Sequence, residues 1–255
     1  MDMPRFDDLD GASVFISGGG KGIGAGLTEA FLRQGAHVAF VQRSDASDFA
    51  DQMETETGRR PLPLICDVTE IDTLKAALGE AAAAHGPVTV LISNAANDDR
   101  HRTEEVSVAY WDRAQAINLR HYFFAAQAVI AGMRGAGGGS IINLSSISYM
   151  MGLGGMPAYT AANGAITALT RGLARELGPD RIRVNALAPG WVLTERQKEL
   201  WVTEEGLKSH LAQQCIPQAL APADIAGPAL FLASRASAMI TGQLLAVDGG
   251  VVSTG

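Results

Sequence analysis

Three side chains able to manage a proton stand in order at Ser146, Tyr159 and Asn163, the phenol thirteen positions beyond the hydroxyl and the carboxamide four beyond the phenol. Taking a hydride from a carbinol carbon requires a base for the hydroxyl proton and a donor that holds the developing oxyanion. Tyr159 carries the acid/base group and Ser146 the donor. Asn118, further upstream, has an amide that can position a water or a backbone segment in a proton relay. Singly, each has a plainer role: Ser146 can end a strand, Tyr159 can face a helix, and Asn118 can cap or buttress. Together and in this order they point to catalysis.

A second cluster handles anions. Ser17-Gly-Gly-Gly-Lys-Gly-Ile-Gly24 follows an apolar run and precedes a helical pattern. Glycines at 18, 22 and 24 allow a tight turn and close backbone approach, so a pyrophosphate can sit on the free N–H groups of the helix start. Placement between strand and helix, more than the glycines themselves, gives the signal its weight.

Both clusters need a rigid frame. Apolar runs at 14–17, 38–41, 62–65, 88–92, 140–144, 183–187 and 244–247 predict strands buried on both faces, and 24–34, 71–85, 110–133, 158–177 and 222–233 predict crossover helices. The alternation implies an α/β fold of Rossmann type, a doubly wound parallel seven-stranded sheet with helices on both faces in three layers. Residues 1–255 are expected to form one domain. The glycine-rich stretch 135–139 reads as a loop, and 191–217, polar and helix-prone without its own strand, as a lid over the substrate.

Composition narrows the partners. The 255 residues are 47% hydrophobic with net charge −7 and no basic stripe, which argues against nucleic acid or an anionic membrane. An acidic start without an apolar segment, and no later run long enough to span a bilayer, predict a cytoplasmic protein. Cys66 and Cys215, the two cysteines, lack metal-ligand spacing and are expected as buried free thiols.

The Gly18-x-x-x-Gly22-x-Gly24 loop, Cys66-Asp67-Val68, Ser93-Asn94-Ala95-Ala96, Asn118, Ser146 with Tyr159, Pro189-Gly190 with Thr194, and Thr241-Gly242 leading to Val247-Asp248-Gly249-Gly250 cover nearly the whole chain. In these motifs the chain resembles the short-chain dehydrogenase/reductase family. The resemblance implies a nicotinamide dinucleotide held by Gly18, Lys21, Gly22, Ile23 and Gly24. It places Asp67 and Val68 at the adenine, Asn94 and Ala95 in the cofactor floor, and Pro189, Val192 and Thr194 at the carboxamide, with Tyr159 and Asn163 at the ribose. It also implies a homotetramer, joined through the helices after strands four and five and the C-terminal edge.

Asn163 departs from the family, which has lysine there. A free phenol has pKa ~10, and a nearby cation lowers such a pKa by roughly 1 to 3 units. An amide keeps hydrogen-bonding capacity for the ribose but supplies no charge, so turnover should suffer more than cofactor binding. Ser17 and Ser93 stand where the family usually has Thr and Asn, and Ala96 where it has Gly.

Cofactor choice is read after the second strand. Gln42-Arg43 stands where an acid would hold a ribose 2′-hydroxyl, and Arg43 with Lys21 favours the 2′-phosphate of NADP, with NAD the alternative and Asp45 close enough to serve it. For substrate, Asn97, Asp98, Ser146, Ser148, Tyr159, Trp191 and Arg196 lie in segments that rim the nicotinamide in the family, and they resemble those of bacterial sugar 1-dehydrogenases such as those acting on xylose. A polyhydroxylated ring suits them, because each buried hydroxyl needs a partner. Arg100, Arg120 and Arg196 leave room for an anionic sugar. The expected activity is oxidation of an aldose at its anomeric carbon to a lactone. A related reductase or dehydrogenase of polyols or ketones, and a dinucleotide-binding pseudoenzyme without turnover, remain the alternatives.

Overall fold

A computed structural model describes residues 3–253. Seven strands, β1 (Ser13–Ser17), β2 (His37–Gln42), β3 (Leu62–Ile65), β4 (Val90–Ser93), β5 (Gly139–Leu144), β6 (Ile182–Pro189) and β7 (Leu244–Val247), form one parallel sheet in the order β3-β2-β1-β4-β5-β6-β7. The order reverses between β1 and β4, whose ends lie abreast with Ser17 beside Ser93. In such sheets the crevice beyond the carboxyl ends at the reversal is where ligands settle.

Successive side chains of each strand enter opposite layers. Val14 and Ile16 pack with α1 (Gly22–Arg33), α2 (Ser47–Thr57) and α9 (Pro222–Ala233), while Phe15 packs on the other face with α3 (Ile71–His85), α5 (His121–Gly135) and α6 (Pro157–Leu177). The inner strands β1 and β4 are buried on both faces, as their continuous apolar runs require, whereas the edge strands β3 and β7 are partly exposed, at Ile65 and Leu245.

Three elements differ from the periodicity. α2 was not expected: its sequence is mostly polar, and only Ala50 and Met53 are buried, too few for an apolar stripe to show. The helix expected over 110–133 is α4 (Val108–Gln115), a π-helical turn Ala116–Arg120, and then α5. Residues 135–139 are less of a loop than expected, because α5 runs to Gly135 and β5 starts at Gly139. The segment 191–217 has no strand and holds α7 (Glu195–Leu200) and α8 (Glu204–Leu211).

Burial pushes the Cys66 thiol up to about 11, with Asp67 adding to the shift. Cys215 corrects the expectation of burial: it is exposed, because it lies in the polar stretch after α8, and its Sγ meets the Gly250 carbonyl at 3.3 Å. Among the described residues no helix is long and apolar enough to cross a membrane.

Candidate active site

The glycine loop has the shape its sequence demands. Gly18 and Gly22 have φ of 72° and 54°, conformations that side chains rarely tolerate. A Cβ on Gly24 would overlap the Gly18 carbonyl oxygen, so only glycine lets α1 start this close to the strand end. Asn94 fixes the loop from below, its Nδ2 donating to the carbonyls of Ser17 at 3.1 Å and Gly18 at 3.0 Å. Ser17 Oγ accepts from the N–H groups of Asn94 and Ala95, so serine here does what the family's threonine hydroxyl can do. Lys21 is the N-cap of α1, which has no acid in its first turn. This cradle fits a dinucleotide pyrophosphate: a bare backbone, a helix start and one cation.

At the adenosine end, Gln42 turns back to donate to the carbonyls of Ser44 and Asp45, and Asp45 is engaged with Ser47. Arg43 is exposed. Burial raises the Asp67 carboxyl, but bonds from the Thr69 N–H and hydroxyl, with the Arg43 charge, bring it below its ordinary value. Val68 is buried beside it.

Ser146 and Tyr159 reach the same cavity from β5 and α6. Ser145 Oγ donates to the Asn163 carbonyl at 3.0 Å, tying the end of β5 to α6 and fixing their separation. Ser146 Oγ accepts from the Ser148 N–H at 3.1 Å. Tyr159 is half-buried in the first turn of α6. Its phenol pKa is raised by burial and by Asp98, with hydrogen bonds to Ser146 and Asn163 and the Arg100 charge opposing. Asn163 is 2% exposed, and its Nδ2 donates to the Tyr159 carbonyl at 2.9 Å. One amide N–H is thus engaged within its own helix, while the second N–H and Oδ1 keep hydrogen-bonding capacity.

Asn118 sits in the π-helical turn, a geometry frequent at functional sites. Its Oδ1 accepts from the Asn97 N–H at 2.8 Å. His121, fully buried below, pairs its Nε2 with the Ala95 carbonyl at 3.0 Å, and burial brings its pKa down to about 4.

The cavity measures about 610 Å³. It is lined by Lys21, Ile23, Gly24 and Asn94 from beyond β1 and β4, by Ser146, Ser148 and Tyr159 from after β5 and the start of α6, and by Pro189, Trp191, Val192, Thr194 and Arg196 from the end of β6 and the segment after it. Gly18, Gly22, Arg43, Asp67, Val68, Ala95, Asn97, Asn118 and Asn163 stand outside this lining. Asn97 and Arg196 meet each other more than open space: Arg196 donates to Asn97 Oδ1 at 2.8 Å and pairs with Asp99 at 3.3 Å and Asp98 at 3.5 Å. Gln197 joins them, donating to Asp98 at 2.8 Å and accepting from Trp191 Nε1 at 2.9 Å. Arg120 lies elsewhere, donating to the Thr69 carbonyl.

Gln197, from the stretch 194–197 expected near the substrate, lines the cavity, as do Trp201 and His210, which were missed by sequence reasoning. Aromatic and imidazole residues within the polar stretch 191–217 were the available signal.

A family model described as enoyl-(acyl carrier protein) reductase matches residues 18–252. A protein named probable galactose dehydrogenase, from Rhizobium meliloti (strain 1021), is 46% identical over 97% of both chains. A D-xylose 1-dehydrogenase from Caulobacter vibrioides is 44% identical over 96% of this chain and 97% of its own. A crystal structure from Sinorhizobium meliloti 1021, of a chain assigned to the short-chain alcohol dehydrogenases, superposes with a TM-score of 0.91 at 33% identity, covering 97% of this chain and 98% of that one. The likeness extends over nearly the whole chain, which belongs to the short-chain dehydrogenase/reductase family of oxidoreductases.

Proposed function

We propose that this chain oxidises the anomeric carbon of an aldose to an aldonolactone, with NADP as the preferred hydride acceptor. The observation that carries the reading is the single cavity joining the glycine cradle to Ser146 and Tyr159 under a wall of polar and aromatic side chains. Relatives named for galactose and xylose support the sugar. The nicotinamide, when bound, accepts the hydride. Tyr159 takes the proton of the anomeric hydroxyl, and Ser146 donates to the oxygen as the C=O forms. Asn118 holds the Asn97 amide and so positions the segment that carries Asp98 into the cavity lining, while Asn163 bonds the Tyr159 carbonyl. Residues 191–217 act as the lid, held down through Arg196 and Gln197. A homotetramer fits the same reading, since Trp111 on α4, Phe123 on α5 and Leu245 on the edge strand β7 are exposed apolar residues at the expected faces.

Assays of lactone formation across aldoses, matching polyols and simple ketones test the assignment. An aldose should be turned over best, and exclusive use of a polyol or ketone refutes it.

For the cofactor, Arg43 is exposed and makes no ion pair among the described residues, while Asp45 accepts from Ser47, so the adenosine end presents a cation. Charge-assisted bonds of roughly 1.5 to 3 kcal/mol imply NADP binding about 10 to 150-fold tighter than NAD. Calorimetry with both dinucleotides should show this, and Arg43→Asp should reverse the order. Tighter NAD binding by the unaltered protein overturns it.

A further inference from the structure

Asn163 brings no charge to the Tyr159 phenol, so the other charged groups at the cavity decide how easily it ionises. Lys21, Asp98, Arg100, Arg196 and His210 share the cavity lining with Tyr159. Arg196 is taken by Asn97, Asp98 and Asp99. Lys21 caps α1 in the glycine cradle, where a pyrophosphate would claim its charge. Burial lowers the His210 pKa, with Asp248 opposing, which favours the neutral imidazole. Tyr122, from α5, is neutral as well: burial raises its pKa, and its hydroxyl donates to the Leu144 carbonyl at 2.9 Å. Among the described residues, Arg100 is left as a lining cation with no ion pair.

Two features hold Arg100 beside the phenol. Its neighbour His101 is stitched to the start of α6: the His101 N–H donates to the Gly155 carbonyl at 2.8 Å, and the Ala158 N–H, one residue before Tyr159, donates to His101 Nε2 at 3.4 Å. The guanidinium lies over the Trp201 ring at 5.2 Å, which keeps an exposed side chain at the cavity wall. Burial and Asp98 hold the Tyr159 pKa up, and the Arg100 charge acts against them. A guanidinium stays charged at every working pH, so its pull on the phenolate does not fade as the solution becomes alkaline.

We propose that Arg100 supplies positive charge that Asn163 does not, stabilising the Tyr159 phenolate from across the cavity; its meaning for turnover rests on Tyr159 being the base.

The test follows the phenol directly. With the tyrosine ring carbon that bears the hydroxyl isotopically labelled, NADPH-saturated protein is titrated with alkali by NMR, and Tyr159→Phe assigns the signal. Arg100→Gln should move the Tyr159 titration to higher pH by roughly 0.5 to 1 pH unit, less than a closer cation would achieve, because solvent screens an exposed charge. Since activity needs the ionised phenol, D-galactose oxidation should fall about 3 to 10-fold along the rising limb of the pH-rate profile and converge with the unaltered protein above it. Arg100→Lys keeps the charge and should leave both curves near their original places. Added salt should move the unaltered protein toward Arg100→Gln. An unmoved phenol titration in Arg100→Gln overturns the inference. So does a titration displaced as far in Arg100→Lys as in Arg100→Gln, which would mark a guanidinium that matters for packing on Trp201 or for holding sugar. A phenol titration that moves while the rate profile stays put overturns Tyr159 as the base and leaves the charge effect standing.

Discussion

Asn163→Lys is expected to raise turnover of the aldose by roughly 10 to 1,000-fold, most of all near neutral pH. The cause is the phenol. Tyr159 accepts a proton only when ionised, and burial together with Asp98 puts its pKa above the ordinary value. At neutral pH the reactive fraction is therefore below the ~0.1% of a free tyrosine. A lysine ammonium four residues on, one helical turn away, stabilises the phenolate and lowers that pKa by roughly 1 to 3 units. Because activity rises with deprotonation, the rising limb of the pH-rate profile should move to lower pH. Dinucleotide affinity should change little by comparison, and a thermal melt reports whether the longer side chain is tolerated where Asn163 now bonds the Tyr159 carbonyl. A lysine variant no faster, with an unmoved profile, means a relay through Asn118, Ser148 or water, or a base other than Tyr159. Tight dinucleotide binding with no turnover in either protein would instead identify a binding pseudoenzyme.

Tyr159→Phe resolves those outcomes. Loss of a positioned acid/base typically costs about 10² to 10⁴-fold, and single-turnover rates should fall by that much. The ring remains, so the packing of the first turn of α6 is kept. Full activity in this variant removes Tyr159 from the mechanism. Inactivity beside an indifferent lysine variant leaves a lysine-free relay through Tyr159 as the working route.

The fold was legible because the strands are short apolar runs at regular intervals and each main crossover helix has its own stripe. α3 and α9 lie where the pattern put them. α2 escaped because two buried residues cannot raise a stripe above a polar background. The π-helical turn escaped because one wide turn inside an apolar helix leaves the residue types unchanged. At the site, the glycines at 18, 22 and 24 could be read from local chemistry, whereas the Asn94 floor came from the family resemblance. The Asn163 amide could not: sequence gives its donors, while its choice of the Tyr159 carbonyl depends on rotamer and burial. Arg196 shows the same limit, since three partners from 97–99 had to arrive from a distant loop before its charge was known to be engaged.

The pairing of β1 with β4 bears on how the chain is made. β1 is complete by Ser17 and can take β2 as a neighbour early, yet its other edge meets Val90 to Ser93. During synthesis, that edge stays open until the fourth strand has emerged, an exposed row of apolar residues and unpaired backbone groups. The brace beneath Gly18 arrives with the same strand, because Asn94 follows it directly. A nascent chain shorter than this has the glycine motif without the cradle, so dinucleotide can stabilise the protein only after this distant pairing has closed.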